Sequence, residues 1–235
     1  MIAPNNPKIQ EVIEWDIKTW QKPLALWDDI ISQYLSNQYS IPSKCLDIGS
    51  RNGGLSLHMA HKWDAEVYCT DYKNPESKAR LLHEKYGVTH KITYSAQDCR
   101  NLNFPDNYFD FVTLKSVLGA VAQGNPDNQQ LAINEIYRVL KPGGVFFFAE
   151  NIKGNVLHHY FRKWFSEISH YWFYPTLKDM KKMLRRFDRV EMRTNGVLAL
   201  FGPTESLRKL LALVDLLFAF IPSRWNYMCY GYAKK

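Results

Sequence analysis

Apolar residues recur every three or four positions through the first forty residues: Ile13, Ile17, Trp20, Leu24, Trp27, Ile31 and Leu35. That spacing predicts an amphipathic helical segment over residues 1–42. Pro23 predicts a break into two helices, and Pro42 a stop. From residue 43 the pattern changes to short apolar runs alternating with helical stretches. Strands are expected at Lys44–Ile48, Ala65–Thr70, His90–Ser95, Tyr108–Leu114 and Val145–Ala149. Helices are expected between them at Gly53–Trp63, Glu76–Tyr86 and Asn128–Leu140, and Lys141-Pro142-Gly143-Gly144 reads as a turn. Such alternation implies a parallel sheet with right-handed crossovers and helices on both faces. Further on, Thr176–Phe187 and Glu205–Phe220 read as helices, and Arg189–Arg193 and Asn226–Ala233 as strands. Thr176 with Asp179 three residues on approximates a capping box.

Composition narrows the class. A chain of 235 residues with 46% apolar residues makes one domain with a sizeable core. Its 7 Trp, 14 Tyr and 13 Phe exclude a disordered chain. Leu210–Ile221 is the longest apolar stretch and contains Asp215. It is short of the roughly 20 apolar residues a membrane span needs. Met1–Gln10 has no apolar run of the signal-peptide kind, so a cytoplasmic protein is expected. Cys45, Cys69, Cys99 and Cys229 lack metal-binding spacing and read as reduced core residues, and no metal is expected. The net charge of +7 is uneven. Residues 1–140 hold 14 Lys/Arg against 16 Asp/Glu, whereas residues 141–193 hold 11 against 5 and residues 194–235 hold 5 against 2. Any anionic partner therefore meets the C-terminal part.

The chemistry concentrates at strand ends. Cys45-Leu46-Asp47-Ile48-Gly49-Ser50-Arg51-Asn52-Gly53-Gly54 puts a glycine-rich turn between a strand and a helix. In open α/β sheets, ligands bind at the carboxyl ends of strands, where helix N-termini attract anionic groups. Asp71 follows the second strand and suits the two hydroxyls of a ribose. Asp98 follows the third strand, in Gln97-Asp98-Cys99. Taken singly, the loop reads as an ordinary turn and Asp71 as a helix cap.

Together and in this order, from about Lys44 to Glu150, these signals resemble the class I S-adenosylmethionine-dependent methyltransferases of the small-molecule, quinone and lipid type. The resemblance implies a Rossmann-like, seven-stranded, mostly parallel sheet with an antiparallel final strand. To it are added the N-terminal helical segment and a helical lid drawn from about 151–175 and 203–222, within a methyltransferase domain spanning 43–235. It also implies S-adenosylmethionine as cofactor. Asp47, Gly49, Ser50, Arg51 and Gly53 would meet its methionine part, Asp71 with Tyr72 the ribose, and Asp98 with Cys99 the adenine. Lys115 and Ser116, after the fourth strand, would face the sulfonium. The sequence departs from the family at Arg51, where glycine is usual. Arg51 either pairs with the cofactor carboxylate or fills the pocket. The same residue breaks the G-x-G-x-x-G pattern of a nicotinamide-dependent oxidoreductase. A non-catalytic relative that binds a partner protein is the other alternative.

For the acceptor, a general base is sought after the fifth strand, at His158, His159 or His170. The acceptor is expected to be a small molecule or a lipid-like or glycan-linked one, and the apolar Glu205–Phe220 helix, behind a basic segment, favours a hydrophobic or lipid-linked acceptor with peripheral membrane contact. A homodimer contact is a third use for that helix. No nucleic acid is expected, because the chain carries no recognition module and no basic run with aromatics at stacking spacing.

Overall fold

The computed structural model describes residues 6–35, 43–165, 172–218 and 220–235. Seven strands form one sheet in the order β3-β2-β1-β4-β5-β7-β6. They are β1 Lys44–Ile48, β2 Glu66–Asp71, β3 Ile92–Ala96, β4 Phe109–Lys115, β5 Leu140–Asn151, β6 Arg189–Asn195 and β7 Met228–Lys234. The first five run parallel, and β7 pairs antiparallel with both β5 and β6.

The helices are α1 Ile9–Ile13, α2 Ile17–Leu35, α3 Gly54–Lys62, α4 Glu76–Lys85, α5 Leu118–Val121, α6 Asn128–Val139, α7 Val156–Phe165, α8 Leu177–Met183 and α9 Glu205–Val214. Thr176 caps α8 as its sequence implied: its hydroxyl accepts from the Asp179 amide at 3.2 Å, and Asp179 accepts the Thr176 amide at 2.8 Å. α5 carries no sequence signal and was not expected. Among the described residues no helix is long and apolar enough to cross a membrane.

β5 explains the two-sided core. Its side chains alternate across the sheet, as the period of two requires. Phe147 packs with Trp20, Leu24, Trp27 and Ile31 of α2 on one face. Phe146 and Phe148 pack with Ile133 and Ile136 of α6 and Met180 of α8 on the other. All three phenylalanines are fully buried.

Two expectations are corrected. Pro23 does not divide the N-terminal helix, because it lies inside α2. A proline at that point cannot donate to the Thr19 carbonyl. Asn195, from β6, donates its Nδ2 to that carbonyl at 3.2 Å instead. The break falls earlier, at Glu14–Asp16, where Glu14 (φ 74°) and Asp16 (φ 48°) take positive φ. Lys141–Gly144 is not a free turn before the fifth strand. It is a bulge within β5, whose register against β4 runs from Phe109↔Leu140 to Phe111↔Val145. Pro42 and His170 lie outside the described residues.

Candidate active site

The carboxyl ends of β1, β2 and β4 open into a cavity of about 600 Å³. β1 ends at Ile48, and Gly49 turns the chain with φ 70°. A side chain there would put its Cβ 2.4 Å from Val117 Cγ2, so the loop after β4 can close on the turn only over glycine. Gly54 opens α3, and a Cβ on it would lie 2.5 Å from the Glu11 and Val12 carbonyl oxygens. The backbone of α1 therefore lies directly on the glycine turn, and the N-terminal segment roofs the cavity.

Asp71 lines the cavity at the end of β2, and its Oδ2 accepts the Arg51 amide at 3.0 Å. Arg51 does not fill the cavity. It holds the left-handed conformation (φ 54°) that the family's glycine would favour. Its side chain is 61% exposed, lies over the Trp15 ring at 5.0 Å and pairs with Glu14 at 3.6 Å. It therefore forms part of the rim.

Asp47 sits on the floor, accepting from Ser56 Oγ at 2.6 Å and Thr113 Oγ1 at 3.0 Å. Burial outweighs those bonds and raises its carboxyl to about 6. Ser50 also lines the cavity and accepts a bond from the Cys69 thiol. Gly53 caps α3 and is not part of the lining. Lys115, at the end of β4, donates to the Ile13 carbonyl at 2.7 Å and stands 4.0 Å from the Trp15 ring. Burial pushes its amine down to about 8. Ser116 adopts φ 56° and accepts from Asn151 Nδ2 at 2.8 Å. Glu150 fixes the same loop from below, its Oε1 accepting the Val117 and Leu118 amides at 2.6 and 3.1 Å.

Besides Gly53, three residues named from the resemblance do not line this cavity. Asp98 is held by its near neighbour Arg100, with Nε–Oδ1 at 2.9 Å and Nη2–Oδ2 at 2.6 Å. That guanidinium keeps the carboxyl below its ordinary value. Cys99 is buried in the core, which raises its thiol to about 12. Tyr72 is largely exposed.

A second cavity, of about 610 Å³, adjoins the first. The two share Trp15, Asn151 and Tyr174 as walls. Asp16, Arg162, Arg208 and Tyr227 bring polar groups into the second chamber among Trp20, Phe161 and Phe201. Arg162 donates to the Ile152 carbonyl at 2.7 Å and lies 4.0 Å over the Tyr174 ring.

The histidines sought as bases are elsewhere. His158 is fully buried, its Nε2 2.6 Å from the Val197 carbonyl and its Nδ1 accepting the Asn155 amide at 3.2 Å. It stacks on Phe201, and burial lowers it to about 4. Both nitrogens serve the backbone, so it packs the fold and lines neither chamber. His159 is exposed and lines a different recess, beside Lys163 and Asp179. Sequence reasoning missed Asp16, Tyr174 and Tyr227. Asp16 falls in a helical polar pattern and Tyr227 in an alternating strand. Only the three-dimensional fold, which brings residues 16 and 227 together, identifies them.

Comparison with known proteins agrees with this geometry. Residues 46–148 match the family described as a methyltransferase domain. A sterol 24-C-methyltransferase of Aspergillus fumigatus is 33% identical over 116 residues, 48% of this chain and 29% of that protein. A ubiquinone/menaquinone biosynthesis C-methyltransferase of Neisseria meningitidis is 36% identical over 112 residues, 46% of this chain and 42% of that protein. The matched stretch is thus well under half of each relative's length. Among solved structures, a phosphoethanolamine N-methyltransferase of Haemonchus contortus, bound to S-adenosylhomocysteine, aligns with TM-score 0.65 and 18% identity. The alignment covers 92% of this chain and 52% of that one. A cyclase aligns with TM-score 0.60 and 18% identity, covering 92% of this chain and 82% of that one. Residues 46–148 thus match a methyltransferase domain, and the sheet that holds them has the fold of the class I methyltransferases.

Proposed function

We propose that the protein transfers a methyl group from S-adenosylmethionine to a small, lipid-like acceptor. The observation that carries this reading is the pair of adjoining chambers. One chamber holds the glycine turn and Asp71, and the second shares its Trp15–Tyr174 wall. The donor set suits the cofactor. Asp71 presents carboxylate oxygens to the hydroxyls of a ribose, Gly49 lets the backbone approach closely, and Arg51 leaves the space open. A cavity of about 600 Å³ lies in the range of sites that enclose such ligands. When bound, the sulfonium supplies an already activated methyl group, so much of the protein's task is positioning. Trp15 and Tyr174 would hold the acceptor in line, and the α1 roof would exclude water.

The lipid-like acceptor is supported by the outer surface of the second chamber. α7 and α9 contribute Phe161, Arg162 and Arg208 to its walls. The same helices and the turn after α9 expose Leu157, Tyr160, Trp164, Leu210, Leu213 and Leu217. Lys163 and Lys209 lie beside them in sequence. An apolar face flanked by cations suits an anionic membrane interface. Co-sedimentation with phosphatidylglycerol vesicles is expected for the wild type and lost in Leu213→Asp/Leu217→Asp. No co-sedimentation of the wild type removes the membrane contact.

The cofactor is tested by calorimetric titration with S-adenosylhomocysteine. Micromolar binding, about −8 kcal/mol, is expected, with a loss of tenfold or more in Asp71→Ala. A wild type that does not bind sinks the methyl-transfer reading.

A further inference from the structure

We infer that the second chamber takes an aromatic hydroxyl compound and that Asp16 is the base receiving its proton. This rests on the methyl-transfer reading and adds to it the acceptor's chemistry. Asp16 is only 4% exposed and lines the chamber. Its Oδ2 accepts the hydroxyl of Tyr227, which also contacts Thr19 Oγ1 at 3.1 Å. Among the described residues, nothing donates to its Oδ1. A buried carboxylate oxygen with no donor is costly, and an acceptor O–H is the partner it lacks. The walls fit a flat ring, because Trp15, Trp20, Phe161, Phe201 and Tyr174 line the same chamber as Asp16.

The backbone is committed to this position. Asp16 keeps φ 48°, and Glu205 of α9 holds the Asp16 and Ile17 amides at 2.8 Å each. Strain of this kind persists only where the surroundings enforce it, and it collects at functional sites.

Asp16 is also poised for the role. Burial raises it to about 6 against the Tyr227 and Thr19 hydrogen bonds, with Arg208 lowering and Glu205 raising it. Arg162 faces the same chamber, and Lys115 stands near enough to interact with Asp16. Burial drives the Tyr227 hydroxyl well above its ordinary range, so it stays protonated and keeps donating to Oδ2. The base is therefore ionised near neutrality, which suits proton removal at working pH.

The step balances. The acceptor O–H breaks and its proton goes to Asp16 Oδ1. The freed oxygen pair bonds the methyl carbon, and the pair of the broken C–S bond stays on sulfur. Arg162 and Arg208 would favour the developing oxyanion.

The test compares 4-nitrophenol with 4-nitroanisole as equilibrium ligands of the S-adenosylhomocysteine-loaded protein. A preference of tenfold or more for the phenol is expected. Tryptophan fluorescence, reporting from Trp15 and Trp20, should titrate with a midpoint near 6. Asp16→Asn should abolish the preference and remove the Asp16 part of the titration, leaving that of Asp47, while S-adenosylhomocysteine still binds. Its amide oxygen must face Tyr227, which turns its N–H₂ toward the ligand. Tyr227→Phe removes a bond that lowers Asp16, so its midpoint should move up. Equal binding of the two probes, no phenol binding, or a preference that survives Asp16→Asn overturns the inference. If S-adenosylhomocysteine does not bind the wild type, the methyl-transfer reading fails instead.

Discussion

Replacing Glu150 by glutamine should make the protein more stable than the wild type by an amount that grows with pH. Glu150 is fully buried at the end of β5. Its Oε1 accepts two backbone amides, and its Oε2 has no partner among the described residues. The two bonds favour the ionised form, but burial outweighs them and raises the carboxyl from 4.5 to about 8. The folded protein keeps a proton that the unfolded chain releases above 4.5. The stability tied to that proton is whole below 4.5 and is lost as pH rises toward 8. Each pH unit is worth about 1.4 kcal/mol, so the wild type loses up to about 5 kcal/mol across this window. Glutamine keeps the oxygen that accepts the amides and does not titrate. The two proteins should match within about 1 kcal/mol near the low end of the window, and the variant should then gain. Asp16 and Asp47 titrate in both proteins and cancel in the difference. Guanidinium unfolding at pH 5, 6, 7 and 8 measures it. A difference that stays constant across those four values refutes the reasoning, because Glu150 would then titrate alike in folded and unfolded chains.

Other outcomes follow from the same geometry. Gly49→Ala sets a methyl against Val117 at positive φ. It should cost about 1–3 kcal/mol in chemical unfolding and at least tenfold in S-adenosylhomocysteine affinity by calorimetry. Lys115, pushed down to about 8, should be acetylated at pH 8 in peptide mass mapping, with S-adenosylhomocysteine slowing the reaction. His158→Ala should lower stability by about 2–4 kcal/mol yet leave S-adenosylhomocysteine affinity unchanged, since the ring packs the core. Asn195→Leu strips the Thr19 carbonyl of its substitute donor and should cost about 1–3 kcal/mol by the same unfolding assay.

The sheet was legible because its signals are local. Short apolar runs, glycine turns and acids at strand ends each depend on a few neighbouring residues. The glycine turn and Asp71 line one cavity for that reason. What the sequence concealed was mostly long-range. The proline rule holds for an isolated helix, but it could not anticipate a side amide 172 positions after Pro23 that satisfies the freed carbonyl. The basic character of histidine made His158 a reasonable base, yet nothing local reveals that both its nitrogens are consumed by backbone. Asp16 carries no signal of its own, being one polar position within a helical pattern. Its proximity to Tyr227 depends on the α1–α2 break, and that break rests on positive-φ residues that are not glycine. In the sequence Arg51 could pair with the cofactor carboxylate or fill the pocket, and its left-handed backbone turns it to the rim.

The position of β7 has a consequence for how the chain acquires its shape. β5 and β6 do not pair with each other; β7 lies between them and is hydrogen-bonded along both edges. It is also synthesised after both of its neighbours. During translation the growing sheet can assemble only as far as β5, whose free edge borders three buried phenylalanines. An unpaired apolar edge of this kind invites association with other chains. Tyr227, at the start of the same late segment, completes the contact with Asp16. The second chamber therefore comes into being only when the strand that seals the sheet is inserted, and a nascent chain shortened before β7 would have neither.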